Sequence, residues 1–417
     1  MALFFLPPQR KLLLMLNFKR DRQIYALLLA NLLSNFCFFA MLAILTLYFI
    51  ENCHFSFKLT GIFTLLVLVF SRAGRLFLLP LMSQFPIKQA MIFSSCLMTL
   101  SYFFLFFTQN KIGMLLSFFL LGMGYGCHSV YIRSQIGLHN TQNAAETKLR
   151  YVRLSVVTNL GGAIASLLAV AIFTRYTGKG VFFIASDLTL INTLCLYFLL
   201  QSDATHQKPF HLIEAIRFIS NNNVIWRILL LTFLSWALYI QMYSSLPLLT
   251  HYQLHTTAFL GGLYATNAIF IVLFSTFINK YLNRYALQVF DTLLIAFACM
   301  GAGFLCLFLF PSLTAAYIAI ICWTLGEILF VPALNSTLSE CTTGPERLQV
   351  FGVSGIVMGL GEGAGMYLGT RLTSLQPMTQ INHLYLYLLI LAVACIGISL
   401  LIKKGVPYEK NENCLSR

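Results

Sequence analysis

Six ionisable side chains lie inside stretches that are otherwise almost wholly apolar: Arg72, Arg75, Asp187, Asp291, Glu327 and Glu362. Burying a charge away from water costs several kcal/mol unless a partner or a wet cavity compensates it, so each of the six is a candidate working group. Arg72 and Arg75 stand at i and i+3, on one helical face, and do not readily lose their protons. They suit attraction of an anion or pairing with a carboxylate. Glu327 and Glu362 fall near the middle of their stretches, and a carboxylate whose surroundings change can load and release a proton. These four residues are the candidate proton-coupling set. Pairing two against two between distant parts of the chain would neutralise them, and a static network of buried pairs is the competing reading. Asp291, about one turn from the end of its stretch, reads as a structural or gating group able to reach water. Asp187 reads as structural.

Neutral groups supply a second set. Asn31, Ser34 and Asn35 recur at i, i+3 and i+4, while Trp236, Tyr239, Gln241 and Tyr243 crowd a later stretch. Amides with aromatic rings suit an amphipathic organic molecule. Hydrogen bonding between helices accounts for the asparagines nearly as well. His128 suits either a simple hydrogen bond or a proton relay. His251 and His255 have the spacing of metal ligands but no third ligand nearby in sequence, so no metal site is expected. The 11 cysteines are scattered without a CxxC pair and read as small packing residues. An enzyme would need a nucleophile, base or metal cluster, and direct use of ATP a G-x-x-x-x-G-K-[ST] loop; the sequence shows neither. No cofactor is expected.

What must position these groups follows from composition. With 59% hydrophobic and 10% charged residues among 417, the solvent for most of the chain is lipid. A bilayer core about 30 Å thick calls for roughly 20 apolar residues per helix. Twelve such stretches occur, at 24–50, 59–82, 89–108, 112–133, 151–174, 181–201, 225–250, 258–280, 287–309, 312–336, 350–371 and 383–402. They must satisfy their own backbone hydrogen bonds, which means helices; the alternating segments of a barrel are absent. The expected fold is an all-α membrane protein with twelve transmembrane helices in two six-helix halves. The divisions are an N-terminal segment 1–23, a first half 24–201, a linker 202–224 with a short surface helix at Phe210–Ile219, a second half 225–402, and a tail 403–417.

A net charge of +14 would suggest nucleic acid if the basic residues shared one soluble face. They do not. Of the 27 lysines and arginines, only Lys58, Lys111, Arg175, Lys179 and Arg371 fall on the side opposite the N-terminus, and Arg72 and Arg75 fall within a span. That is the positive-inside signature, which puts both termini in the cytoplasm and the chain in the inner, or plasma, membrane. Met1–Leu6 is too short an apolar run for a cleaved signal peptide.

The halves share an internal echo at an offset of 200: Gly126 with Gly326, Gly161 with Gly361, Ala165 with Gly365 and Ala169 with Gly369. Asn159, Gly161 and Gly162, like Gly361 and Gly365, lie on stripes of small residues where another backbone can approach, as static packing or as a sliding surface.

Several stretches carry a family likeness. Asn159-Leu160-Gly161-Gly162-Ala163-Ile164, Tyr239 to Leu248 (YIQMYSSLPL), Tyr264 to Ala268 (YATNA) and Gly326 to Ala333 (GEILFVPA) occur in order at the fifth, seventh, eighth and tenth spans. Together they resemble the major facilitator superfamily and, within it, the bacterial drug:proton antiporter branch. The likeness departs at three places. Ala165-Ser166 replaces the Gly-Pro of the antiporter element, the loop from Leu81 to Lys88 lacks the family's acid, and Phe118 stands where an arginine is common. The resemblance implies a monomeric secondary transporter that works by alternating access in the lipid bilayer, exporting a small organic compound against protons. It also implies that the first and seventh helices line the cavity, which makes Asn31, Asn35, Trp236, Tyr239, Gln241 and Tyr243 the candidate cavity residues. The alternative is a symporter taking up an anionic metabolite or metal chelate. A membrane-embedded enzyme or a sensor is the reading from another class.

Overall fold

The computed structural model describes residues 8–108, 110–138, 144–201, 212–284, 288–342 and 344–404. The expected start of the linker, most of the tail and the first residues of the N-terminal segment lie outside these. Every element among the described residues is helical. The first half runs α1 (Pro8–Leu47), α2 (Phe57–Ala73), α3 (Arg75–Met82), α4 (Ile87–Phe107), α5 (Lys111–Leu138), α6 (Ala144–Arg175) and α7 (Gly178–Leu199). After α8 (Leu212–Asn221), the second half runs α9 (Asn223–Tyr239), α10 (Gln241–Leu248), α11 (Leu260–Arg284), α12 (Val289–Leu309), α13 (Leu313–Glu340), α14 (Gly344–Thr373) and α15 (Leu384–Lys404).

The second span is α2 with α3, and the seventh is α9 with α10, which gives twelve spans. Eleven are long and apolar enough to cross a membrane among the described residues. The twelfth, α14, is diluted by its glycines and by Glu362, which is what a helix buried against others on most sides permits. An even number of spans puts the two ends of the chain on one face, here the terminal face; the other is the far face.

Two spans differ from the continuous helices expected. The second breaks at Gly74, where a side chain would sit 2.7 Å from the Met123 nitrogen and 2.8 Å from the Gly122 carbonyl carbon. The backbones of the second and fourth spans touch there, and only glycine fits. The seventh turns at Ile240, and Pro247 follows within α10. Removing backbone bonds near mid-span is tolerated in membranes where neighbouring helices cover the gap, and α10 is buried throughout.

The halves are copies, and the contacts say so more clearly than the sequence. A side chain on Gly124 would meet the Ser94 oxygen and Met98; one on Gly326 would meet the Ala296 oxygen and Met300. All three pairs stand 202 residues apart, so Gly326 answers to Gly124, not to Gly126 as the offset of 200 suggested. Gly161 packs on Leu32 and Gly361 on Phe233, again at equivalent helices, α6 on α1 and α14 on α9. The interface between halves is formed by α2 with α14 and α6 with α11.

Candidate functional site

Arg72 and Glu362 meet across that interface. Both lie well inside their spans, and the glycines of α14 let α2 come close enough: Gly363 faces Leu65, Gly359 faces Arg72 and Gly355 faces Arg75. The guanidinium donates through Nε to Glu362 Oε2 at 3.1 Å and through Nη2 to Oε1 at 3.0 Å. This two-pronged geometry is the strong form of a carboxylate–arginine pair. Glu362 is 3% exposed, so its charge is held in place by Arg72. The Phe38 ring lies 5.8 Å from the guanidinium carbon, and the Tyr125 hydroxyl sits beside it.

Tyr125 links this pair to the first span. Its hydroxyl donates to Asn35 Oδ1 at 2.9 Å, the Asn35 amide donates to Asn31, and the Asn31 amide donates to Thr158 Oγ1 at 2.7 Å. The two asparagines thus tie α1 to α5 and α6 and stand next to the charges.

The second expected pair does not form. Arg75, 7% exposed, donates to the Gly352 carbonyl at 3.0 Å, and its Nε has no acceptor among the described residues. Arg75 lies three residues further toward the terminal face than Arg72 and meets a backbone carbonyl of α14 instead of a glutamate. Glu327 turns instead into its own half. Asn267 Nδ2 donates to Glu327 Oε2 at 3.2 Å, and the Tyr239 hydroxyl also bonds the carboxylate. Asn267 reaches Thr324 Oγ1 at 2.9 Å as well. Both partners of Glu327 are neutral, so nothing fixes it in the charged form. Asn267 was noted in the sequence only as part of a motif; a lone amide in an apolar span was the signal available for it.

The aromatic candidates converge beside Glu327. Trp236 meets Tyr239 and Phe330 edge to face at 5.5 and 5.3 Å, and Tyr243 stacks on Tyr264 at 4.8 Å. Gln241 departs from expectation. The turn at Ile240 points it at α14, where its Nε2 donates to the Gly365 carbonyl at 2.8 Å, and it is fully buried. It joins helices and does not line a cavity.

Among the packing candidates, Gly162 faces the Phe39 ring, and side chains on Gly361 or Gly365 would overlap the backbone oxygens of Phe233 and Ala237. Asn159 bonds its own helix through the Ser155 carbonyl at 3.0 Å. Asp291 is paired with Lys403 between α12 and α15. Asp187 is exposed on α7. His128 lies 3.3 Å from the Asn192 amide in a buried cluster inside the first half, away from the interface. No group of three His, Cys, Asp or Glu side chains able to hold a metal ion occurs among the described residues, around His251 and His255 included.

The profile of the Major Facilitator Superfamily matches residues 143–366, more than half of the chain. The chain belongs to the major facilitator superfamily. Its solved structural neighbours share that fold at low identity. A structure described as giving insights into substrate recognition in proton dependent oligopeptide transporters aligns with a TM-score of 0.75 at 13% identity, covering 92% of this chain and 99% of that one. A POT family transporter in complex with 5-aminolevulinic acid aligns at 0.74 and 15%, covering 92% and 96%. A peptide transporter POT in complex with sulfate aligns at 0.72 and 13%, covering 92% and 94%. No curated protein matches this transporter in sequence. It is a multi-pass secondary transporter, not an enzyme.

Proposed function

We propose that this transporter exports a small organic compound in exchange for protons, with Glu327 as the proton carrier. The observation that carries the reading is the contrast between two carboxylates inside the membrane. Glu362 is locked by an arginine, whereas Glu327 is held by an amide and a phenol, partners that serve a charged or a neutral carboxyl alike. Only a carboxyl free to exist in both forms can cycle a proton. The aromatic groups Trp236, Tyr239 and Tyr243 next to it would face the compound, with Asn31 and Asn35 on the opposite half. Structural likeness to proton dependent oligopeptide transporters supports proton coupling, and the antiporter-like stretches support export.

In this reading residues 24–201 and 225–402 rock as two bodies, a single chain suffices, and both termini face the cytoplasm of a cell bounded by the inner membrane. The test has two stages. Comparing metabolites inside and outside cells that lack or overproduce the transporter names the compound and its direction. Proteoliposomes loaded with that compound then compare the parental chain with Glu327→Gln. The amide keeps shape but cannot carry a proton, so uphill transport should vanish while downhill exchange persists. Uphill transport at the parental rate in Glu327→Gln rejects the assignment.

A further inference from the structure

The first and seventh spans end alike. Each finishes in a single π-helical turn, Tyr48–Asn52 and Leu249–Gln253, closed by Cys53 N to Tyr48 O at 3.1 Å and by Leu254 N to Leu249 O at 3.0 Å. A second pair of bonds repeats as well, Phe55 N to Phe49 O and Thr256 N to Thr250 O. Each turn is followed by a histidine in the left-handed region, His54 at φ 54° and His255 at φ 51°, the only non-glycine residues so placed among the described ones. A left-handed non-glycine residue costs on the order of 1 kcal/mol or more, and π-turns inside membrane helices gather at working sites. Keeping both, twice, fixes how the two helix ends present themselves to each other on the far face.

What they present is not symmetric. Glu51 comes from one turn and His251 from the other, with Nδ1 3.3 Å from Oε1 across the two halves. Thr257 Oγ1 lies 3.1 Å from the same nitrogen, and the Tyr252 ring stands edge to face against the imidazole at 4.5 Å. Tyr252 in turn meets Phe57 of the first half at 5.8 Å, and Thr46 donates to the Tyr243 carbonyl at 3.0 Å. These contacts close the far face. The ionisable groups facing His251 are Glu51 and Tyr252; Lys111 sits over Phe55, and Lys179 acts on Cys53, on the first-half side. Both members of the pair are about one-third exposed, at 30% and 34%, so protons reach them from water.

Glu51 Oε1 is buried and accepts no hydrogen bond among the described residues, so its contact with His251 is one of charge: a protonated imidazole compensates the carboxylate, while a neutral one offers it no counter-charge. We propose that Glu51 and His251 form a proton-operated latch that holds the far face closed when His251 is protonated and loosens as the imidazole loses its proton. An exposed pair of this kind shifts the closed-to-open ratio roughly two- to five-fold. The latch does not depend on Glu327 being the proton carrier.

The test uses the full chain in nanodiscs, with spin labels on cysteines at Tyr176 and Leu375, one on each half of the far face, in a background free of other cysteines. Distances are measured by double electron–electron resonance from about pH 5 to about pH 8, the window of an imidazole. The long-distance population should rise roughly two- to five-fold with pH in the parental chain. Glu51→Gln and His251→Gln should flatten the profile, and His251→Lys, charged throughout, should keep the short distance at both ends. Glu327→Gln should leave the step intact, which separates the latch from the coupling site. A parental profile without a step, or a step that survives His251→Gln, overturns the latch.

Discussion

Replacing Glu362 with Gln should destabilise the transporter more than almost any other single change of equal size. The reason lies in what remains behind. Arg72 cannot shed its proton, its side chain is only 12% exposed, and Gly359 presses against its Cβ and Cγ, so the guanidinium has little room to swing toward water. Breaking a buried pair from one side costs about 3–5 kcal/mol, chiefly because a charge is left buried and uncompensated. Gln still offers one acceptor, which places the loss at the lower end of that range. A midpoint shift of roughly 3–4 °C follows for a chain of 417 residues. The buried cysteines Cys37, Cys127, Cys341 and Cys395 provide the assay, because a thiol-reactive dye reports their exposure as the purified protein is heated. The double variant Arg72→Met/Glu362→Met removes both charges and keeps volume, so it should unfold close to the parental midpoint. A double variant as unstable as the sum of the two single changes would refute the uncompensated-charge argument and leave loss of packing as the cause.

Three further outcomes are expected. Gly361→Ala and Gly365→Ala should each lower the unfolding midpoint by an amount corresponding to about 1–3 kcal/mol, because the new methyl overlaps backbone oxygens of α9; Gly397→Ala, with nothing within 4 Å, should leave it unchanged. Gly355→Ala should expel the Arg75 guanidinium that lies against it and lower stability, while Arg75→Met in the same chain should restore it, as read in the same dye assay. A cysteine at Tyr176 should react with an impermeant thiol reagent in intact cells and one at Ser220 should not; labelling of Ser220 would reverse the proposed orientation.

The helices and the small-residue stripes were legible in the sequence because lipid imposes length and hydropathy on each span and leaves few alternatives. Pairing was legible only in part. Four charges near mid-membrane had to find partners, and Arg72 with Glu362 did, but Arg75 met a backbone carbonyl of α14 and Glu327 met neutral groups of its own half. Which partners came within reach was set by helices far apart in the chain, and no local pattern announces that. Gln241 failed for the same kind of reason. Its type suited a cavity, and the turn at Ile240 aimed it at the Gly365 carbonyl. Glu51 and His251 are two hundred residues apart in the chain; Glu51 drew no notice in the sequence, and His251 did so only for its spacing from His255. Only the packing of two helix ends joins them.

The duplication explains why the working charges sit where they do. Phe38 and Tyr239 stand 201 residues apart, and Tyr125 and Glu327 stand 202 apart, so they occupy matching places in the two halves. In the first half Tyr125 stacks on Phe38 at 4.3 Å; in the second the Glu327 carboxyl takes a hydrogen bond from Tyr239. The copied scaffold holds a ring against a fourth-position helix in both halves, and the chemistry has diverged on it. One half carries a permanent cation, Arg72, beside Tyr125; the other carries the carboxyl with neutral partners. Two identical carboxyls at matching sites would repel each other across the interface and each raise the cost of the other's charge. A fixed arginine already neutralised by Glu362 leaves the field at Glu327 to be set by its own half and by whatever occupies the space between them. In the proposed mechanism, a proton on Glu327 is exchanged for a bound compound without disturbing the pair that keeps the halves together.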